Sequence, residues 1–220
     1  MRIAGDKTIQ EWKELHSKLD ISVNDNWDKA FDFFDMRIKT RYLDPIDEIL
    51  RMKSFSGEGF AVINLQCSLI ETIESFVNGW KYRIKQSEQE IERGWYVGEK
   101  LNKDITNKYI FSSFFSHRKE FNGKIDGKSF YDFVRCGLLH ETQTTNNWKI
   151  HRDDRRGELD WYEDYNDYKI IYSYQLNNVL KSLMKRYRDT ITNGVQFDQI
   201  TIEELRKNFI EKMNHICNKS

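Results

Sequence analysis

Arg135 and His140 are the residue types in this chain best suited to phosphate chemistry, and they sit five positions apart in the run FVRCGLLH. An arginine is a permanent cation whose planar fork matches phosphate oxygens. A histidine ordinarily titrates near neutrality, so it can take or give a proton at physiological pH. Cys136 follows the arginine. With no base near it in the sequence, it reads as a small packing residue rather than a nucleophile.

The element that must position this pair runs from Gly127 to Gln143. Phe130, Phe133, Val134, Gly137 and Leu138 recur at helical spacing and give one apolar face. Ser129 followed by Asp132 is one capping start, and Asp126 is its rival. Tyr131, Asp132, Arg135, Cys136, Leu139 and His140 share the other arc. A solvated back face would carry Lys, Glu and Gln, so this arc reads as a second contact surface. On a straight helix Arg135 and His140 lie about 140° apart around the axis. They converge only if the helix ends near His140 or if two copies meet across a two-fold axis. The second arrangement would also bury Leu139.

The phrase FYDFVRCGLLHETQT, an R-x4-H pair at the end of a hydrophobic helix, resembles the R-x4–6-H signature of HEPN domains. These are small helical bundles found in toxin–antitoxin, antiphage and RNA-processing systems. The resemblance implies a mainly α fold, a HEPN-like bundle, and a homodimer in which both motifs line one cleft. It implies a metal-independent endoribonuclease with Arg135 and His140 as catalytic residues. The ribose 2′-OH would attack the adjacent phosphorus and leave a 2′,3′-cyclic phosphate. RNA, and a cognate antitoxin or other partner protein, are the implied partners. Family members usually carry a polar residue after the arginine, where this chain has Cys136. A non-catalytic dimerisation module, or a partner- or nucleotide-binding one, is therefore the alternative reading.

Blander roles exist for the same residues. Arg135 could pair with Asp132, and His140 could serve only as a cation at the negative end of a helix. Elsewhere, Arg152, Arg155 and Arg156 are candidates for gripping RNA phosphates, with interleaved Asp153 and Asp154 giving a salt-bridged loop as the alternative. His117 and Arg118 are further phosphate candidates. Trp148, Trp161, Tyr162 and Tyr165 could stack bases, although core packing suits Trp148 better. His16 and His215 read as surface groups on terminal helices.

The rest of the chain is expected to frame that helix. Thr8 to Leu19, Trp27 towards Lys39, Phe60 to Asn78, Tyr109 to Lys119, Leu176 to Thr192 and a last segment after Thr201 all show helical periodicity. Pro45 should break or kink the chain. Phe60 to Asn78 reads as the central core helix, ending at Gly79. Glu71, Glu74, Ser75 and Asn78 lie off its apolar stripe. Residues 80–108 read as a mobile loop or a short surface helix. A small β-hairpin pairing about 147–151 with about 168–173 is expected as an insertion.

The 220 residues, 39% hydrophobic and 14% aromatic, suffice for one domain over 1–220. Thirty-five basic and 35 acidic residues give zero net charge, so any RNA site must be a local patch. The three cysteines are far apart and form no Cys/His ligand cluster, so neither a zinc site nor a disulfide framework is expected. No Gly-rich phosphate loop of a known type is present, which argues against an ordinary NTPase. No cofactor is expected. The N-terminus lacks an apolar signal region, and the longest apolar stretch is interrupted by polar residues. A cytoplasmic protein with no membrane span is the expectation.

Overall fold

The computed structural model describes residues 1–52, 57–86, 91–121, 123–152 and 160–219. The chain is mainly α. It opens with a two-stranded ribbon, β1 (Arg2–Ala4) and β2 (Lys7–Thr8), which leads into α1 (Ile9–His16). Thr8 caps that helix, and a reciprocal bond from its own N–H to the Glu11 carboxylate completes a capping box.

Helix α2 (Trp27–Ile38) does not break at Pro45. It passes through a π turn (Lys39–Leu43) directly into α3 (Asp44–Arg51). The Asp44 N–H reaches back five residues to the Lys39 carbonyl. The widened turn just ahead of the proline gives its ring room against the preceding carbonyls, which a regular helix would not.

Helix α4 (Glu58–Val77) is the centre of the core, as its periodicity indicates. Val62, Ile63, Leu69, Ile70, Ile73, Phe76 and Val77 are all buried. Each large apolar side chain buried in this way contributes about 1.5–3 kcal/mol before entropy is charged against it. Phe76 meets Phe34 of α2 at 4.1 Å between ring centroids, in an aromatic cluster with Tyr187 and Phe209. The helix is long and apolar enough to cross a membrane by composition, and here it is the core helix of the bundle.

Glu74 and Ser75 lie off the apolar stripe in sequence, yet both are buried, Glu74 completely. Neighbours enclose the last five residues of α4, Ile73 to Val77, and the charge is met inside the protein. Arg118 is in ion contact with the Glu74 carboxylate at 3.1 Å, and the Ser113 hydroxyl donates to it at 2.7 Å. Arg118, 2% exposed, also binds Asp198 and is therefore a structural cation with no surface for a nucleic-acid phosphate.

Most of the described residues between 81 and 101 form a sheet, where a loop or surface helix is expected over 80–108. The antiparallel strands β3 (Lys81–Gln86), β4 (Ile91–Val97) and β5 (Lys100–Leu101) lead into α5 (Asn107–His117). The expected hairpin in the last third is also different. Strand β6 (Trp148–His151) pairs with β8 (Lys169–Tyr172) in parallel register, and β7 (Tyr162–Asp164) lies antiparallel on the other side of β8. A tight turn at Tyr165–Tyr168 makes β7–β8 the hairpin. Alternation of side chains marks both segments as strands but carries no information on their relative direction. Trp148, Trp161 and Tyr162 are buried in the aromatic layer beneath this sheet, so they pack the core instead of stacking bases. Tyr165 is exposed and stacks on Tyr168. Helices α8 (Ser173–Asn193) and α9 (Ile202–Lys219) close the bundle against α4.

The motif helix is continuous from residue 127 to 141 and consists of α6 (Gly127–Phe130), a π turn (Tyr131–Arg135) and α7 (Cys136–Glu141). Asp126, not Ser129, is its cap, accepting from the backbone of Lys128 and Ser129. Gly127 lets its first turn touch α5 backbone to backbone. A Cβ there would lie 2.3 Å from the Phe111 carbonyl oxygen and 2.7 Å from the Ser112 Cα. Gly127→Ala should therefore cost about 1–3 kcal/mol of stability by forcing the two helices apart. Urea unfolding measures this, and a variant as stable as wild type would show that the crossing is slack.

Candidate functional site

The sequence orients the motif helix through its apolar face. Phe130, Val134, Gly137 and Leu138 are buried and Phe133 packs against the same core. Phe130 stacks on Phe111 and meets Phe115 at 4.8 Å, which fixes the helix on α5. After Glu141 the chain turns through a left-handed Thr142 and runs back across the helix. Thr145 donates to the Phe133 carbonyl at 2.9 Å. A side chain at Gly137 would strike that return segment, with the Gln143 oxygen 2.6 Å away. The glycine inside the motif thus serves this turn-back, which holds the end of the helix in place.

The opposite arc is only half covered. Tyr131, Asp132, Arg135 and Cys136 are half-buried, whereas Leu139 and His140 are exposed, Leu139 by 55%. Asp132 is taken by Lys108 of α5 and not by Arg135. The Arg135 guanidinium lies over the ring of Tyr131, 5.6 Å from its centroid. Among the described residues no carboxylate comes within ion-pair distance of it.

Helix α4 supplies the groups that Arg135 influences. Glu71 and Cys67 both feel its positive charge. Burial raises the Glu71 carboxyl above its ordinary value, and Arg135 and then Lys212 oppose that rise. Burial also pushes the Cys67 thiol far up, so this cysteine is an inert core group. Tyr131 is raised by burial and by a hydrogen bond with Cys136, again with Arg135 opposing. Glu71 escapes a reading of the motif alone. Its signal in sequence was a carboxylate interrupting the most apolar helix of the chain.

His140 occupies the last turn of α7, exposed to solvent. Helical geometry between residues 135 and 140 keeps it about 140° from Arg135 around the axis. A single helix does not bring the two side chains onto one bond. Leu139 stands between them as an exposed apolar group.

The other candidates lie elsewhere. Arg152 braces the end of α3 against α4. It donates to the Met52 carbonyl at 2.8 Å, binds Glu58 at 3.0 Å and also reaches the Leu50 carbonyl. Arg155 and Arg156 fall outside the described residues. His117 is exposed, with its ring nitrogen 3.2 Å from the Ser113 hydroxyl. His16 is half-buried and stacks on Trp12. His215 is no free surface group, since its ring nitrogen lies 3.1 Å from the Tyr82 carbonyl. Among the described residues, no group of three or more His, Cys, Asp or Glu side chains is placed to hold a metal ion. The chain matches no family model, and neither the curated proteins nor the solved structures give a match.

Proposed function

We propose that this chain is a metal-independent endoribonuclease of HEPN type, acting in a defence or toxin–antitoxin setting from a site built by two copies. The observation that carries the reading is the state of Arg135. Its guanidinium rests on Tyr131 with no carboxylate partner among the described residues, beside the exposed Leu139 and His140. A cation held in this way has its donors available for a phosphate.

In the composite cleft, the His140 imidazole of one copy removes the proton from the ribose 2′-OH. The 2′-oxygen forms a bond to phosphorus, and the bond to the 5′-oxygen breaks. The imidazolium of the other copy protonates that leaving oxygen, so one proton enters and one leaves the pair of histidines. Arg135 holds the negative charge that builds on the phosphoryl oxygens. The products are a 2′,3′-cyclic phosphate and a 5′-hydroxyl.

Leu139 would then be the contact between copies. Leu139→Asp should convert dimers to monomers in light scattering and abolish cleavage together with dimerisation. A wild type that is monomeric under cleaving conditions, or a variant that stays dimeric, removes the composite site. The second reading is a non-catalytic dimerisation or partner-binding module. It is favoured by Cys136, whose thiol engages Tyr131 and gives a phosphate little to bind.

A further inference from the structure

A cavity of about 310 Å³ opens between α2 with its π turn, α4, the β3–β4 sheet and α9. Arg37 and Arg41, one helical turn apart, form one wall. Both donate to one neutral acceptor, the Ile3 carbonyl, Arg37 at 2.7 Å and Arg41 at 3.3 Å. Neither has a carboxylate within ion-pair distance among the described residues. Burial and then the neighbouring charge of Arg41 lower Arg37 from its ordinary value to about 10. Arg37 is half-buried and Arg41 exposed, so two like charges converge on one carbonyl where an anion would relieve their repulsion.

The far wall adds a third cation. Lys212 of α9 is buried and donates to the Trp80 carbonyl at 2.5 Å. It lies over the rings of Trp95 and Phe76, at 5.3 and 5.9 Å from their centroids, so it adds positive charge to the wall but is not a direct ligand contact. The single carboxylate in the described lining is Glu71, whose charge already answers to Arg135 and Lys212. At the rim Tyr82, 40% exposed, stands edge-on to Trp95 with centroids 5.4 Å apart. An aromatic edge beside clustered cations, in a space of this size, suits a small ligand with a flat ring at one end and a dianion at the other.

We propose that this cavity binds a phosphate monoester carrying a flat ring, the class of the nucleoside monophosphates, with the phosphate on Arg37 and Arg41 and the ring against Tyr82. Glu71 links this cavity to the surroundings of Arg135, but the contacts proposed here, Arg37, Arg41 and Tyr82, include neither Arg135 nor His140, and the proposal does not depend on the cleavage reading.

Isothermal titration of the intact protein with AMP and UMP tests it, against adenosine, glycerol 3-phosphate and inorganic phosphate. No RNA is present, so the result stands separately from any cleavage result. At least one nucleotide should bind, with adenosine and glycerol 3-phosphate at least about tenfold weaker. Arg41→Ala removes a charged donor from an exposed position, so it should fold normally and weaken the nucleotide about tenfold or more. Tyr82→Ala should weaken it severalfold, and Arg51→Ala, on an exposed helix end, should leave it unchanged. Three results would overturn the proposal. They are no nucleotide binding at millimolar concentration, binding indifferent to Arg41→Ala, and inorganic or glycerol phosphate binding as tightly as AMP.

Discussion

Arg118→Met should destabilise the protein by about 3–5 kcal/mol, a large part of the 5–15 kcal/mol that holds a domain together. The reason is what the arginine leaves behind. Arg118 closes α5 and lies between two buried carboxylates, Glu74 at 3.1 Å and Asp198 at 2.8 Å. Asp198 keeps a second cation, since Arg186 lies 3.1 Å away and is itself paired with Glu120. Glu74 keeps only neutral donors, the Ser113 hydroxyl and the Asn78 amide. A carboxylate at 0% exposure with no cation is the expensive state. Adding Glu74→Gln to Arg118→Met should therefore recover much of the loss, because the second change removes the stranded charge. Urea midpoints at unchanged m-value measure both variants. A loss under about 1 kcal/mol for the single variant, or no recovery in the double, would show that the network is not what holds α4 to α5.

Arg118 also marks where the sequence stops being legible. The helices α1, α2, α4, α5, α8 and α9 follow from periodic apolar residues, and so does the face by which the motif helix docks. The partner of Glu74 does not, because Arg118 is distant in sequence and only the fold brings them together. The sheet β3–β5 is hidden for a different reason. Its strands alternate, but Tyr82 and Ile84 stay exposed on one side while Lys81, Arg83 and Lys85 share the other, two of them over the ring of Tyr96. Charged stems covering an aromatic ring look like a solvated loop in composition. The two π turns are equally silent, since an extra residue per turn changes no local residue preference that the chain displays.

At the candidate site, the division falls in the same place. The types and spacing of Arg135 and His140 were readable, as was the exposed Leu139 between them. The hold of Tyr131 on the guanidinium and the Glu71 charge from α4 required the packing of two helices. The pocket lined by Arg37, Arg41 and Lys212 draws on α2, its π turn, α4, the β3–β4 sheet and α9, so no contiguous stretch announces it.

The second large effect concerns the motif pair. Arg135→Ala should lower the rate of RNA cleavage by about 10²–10³-fold, the loss that follows when a donor to a developing oxyanion is removed. His140→Ala should lower it by about 10²–10⁴-fold, the contribution of a positioned acid–base group. Neither change should unfold the protein. His140 is exposed, and Arg135 makes a ring contact without any ion pair among the described residues. Arg135→Lys should fail almost as badly as the alanine variant, because an ammonium keeps the charge but loses the fork.

Cleavage of a mixed-sequence RNA in EDTA by wild type, Arg135→Ala and His140→Ala is the most direct test of the proposed ribonuclease function. The expected result is cleavage by wild type alone, with 2′,3′-cyclic phosphate and 5′-hydroxyl ends, while both variants remain folded. Equal rates in all three proteins, or wild-type products with 3′-hydroxyl ends, would contradict it.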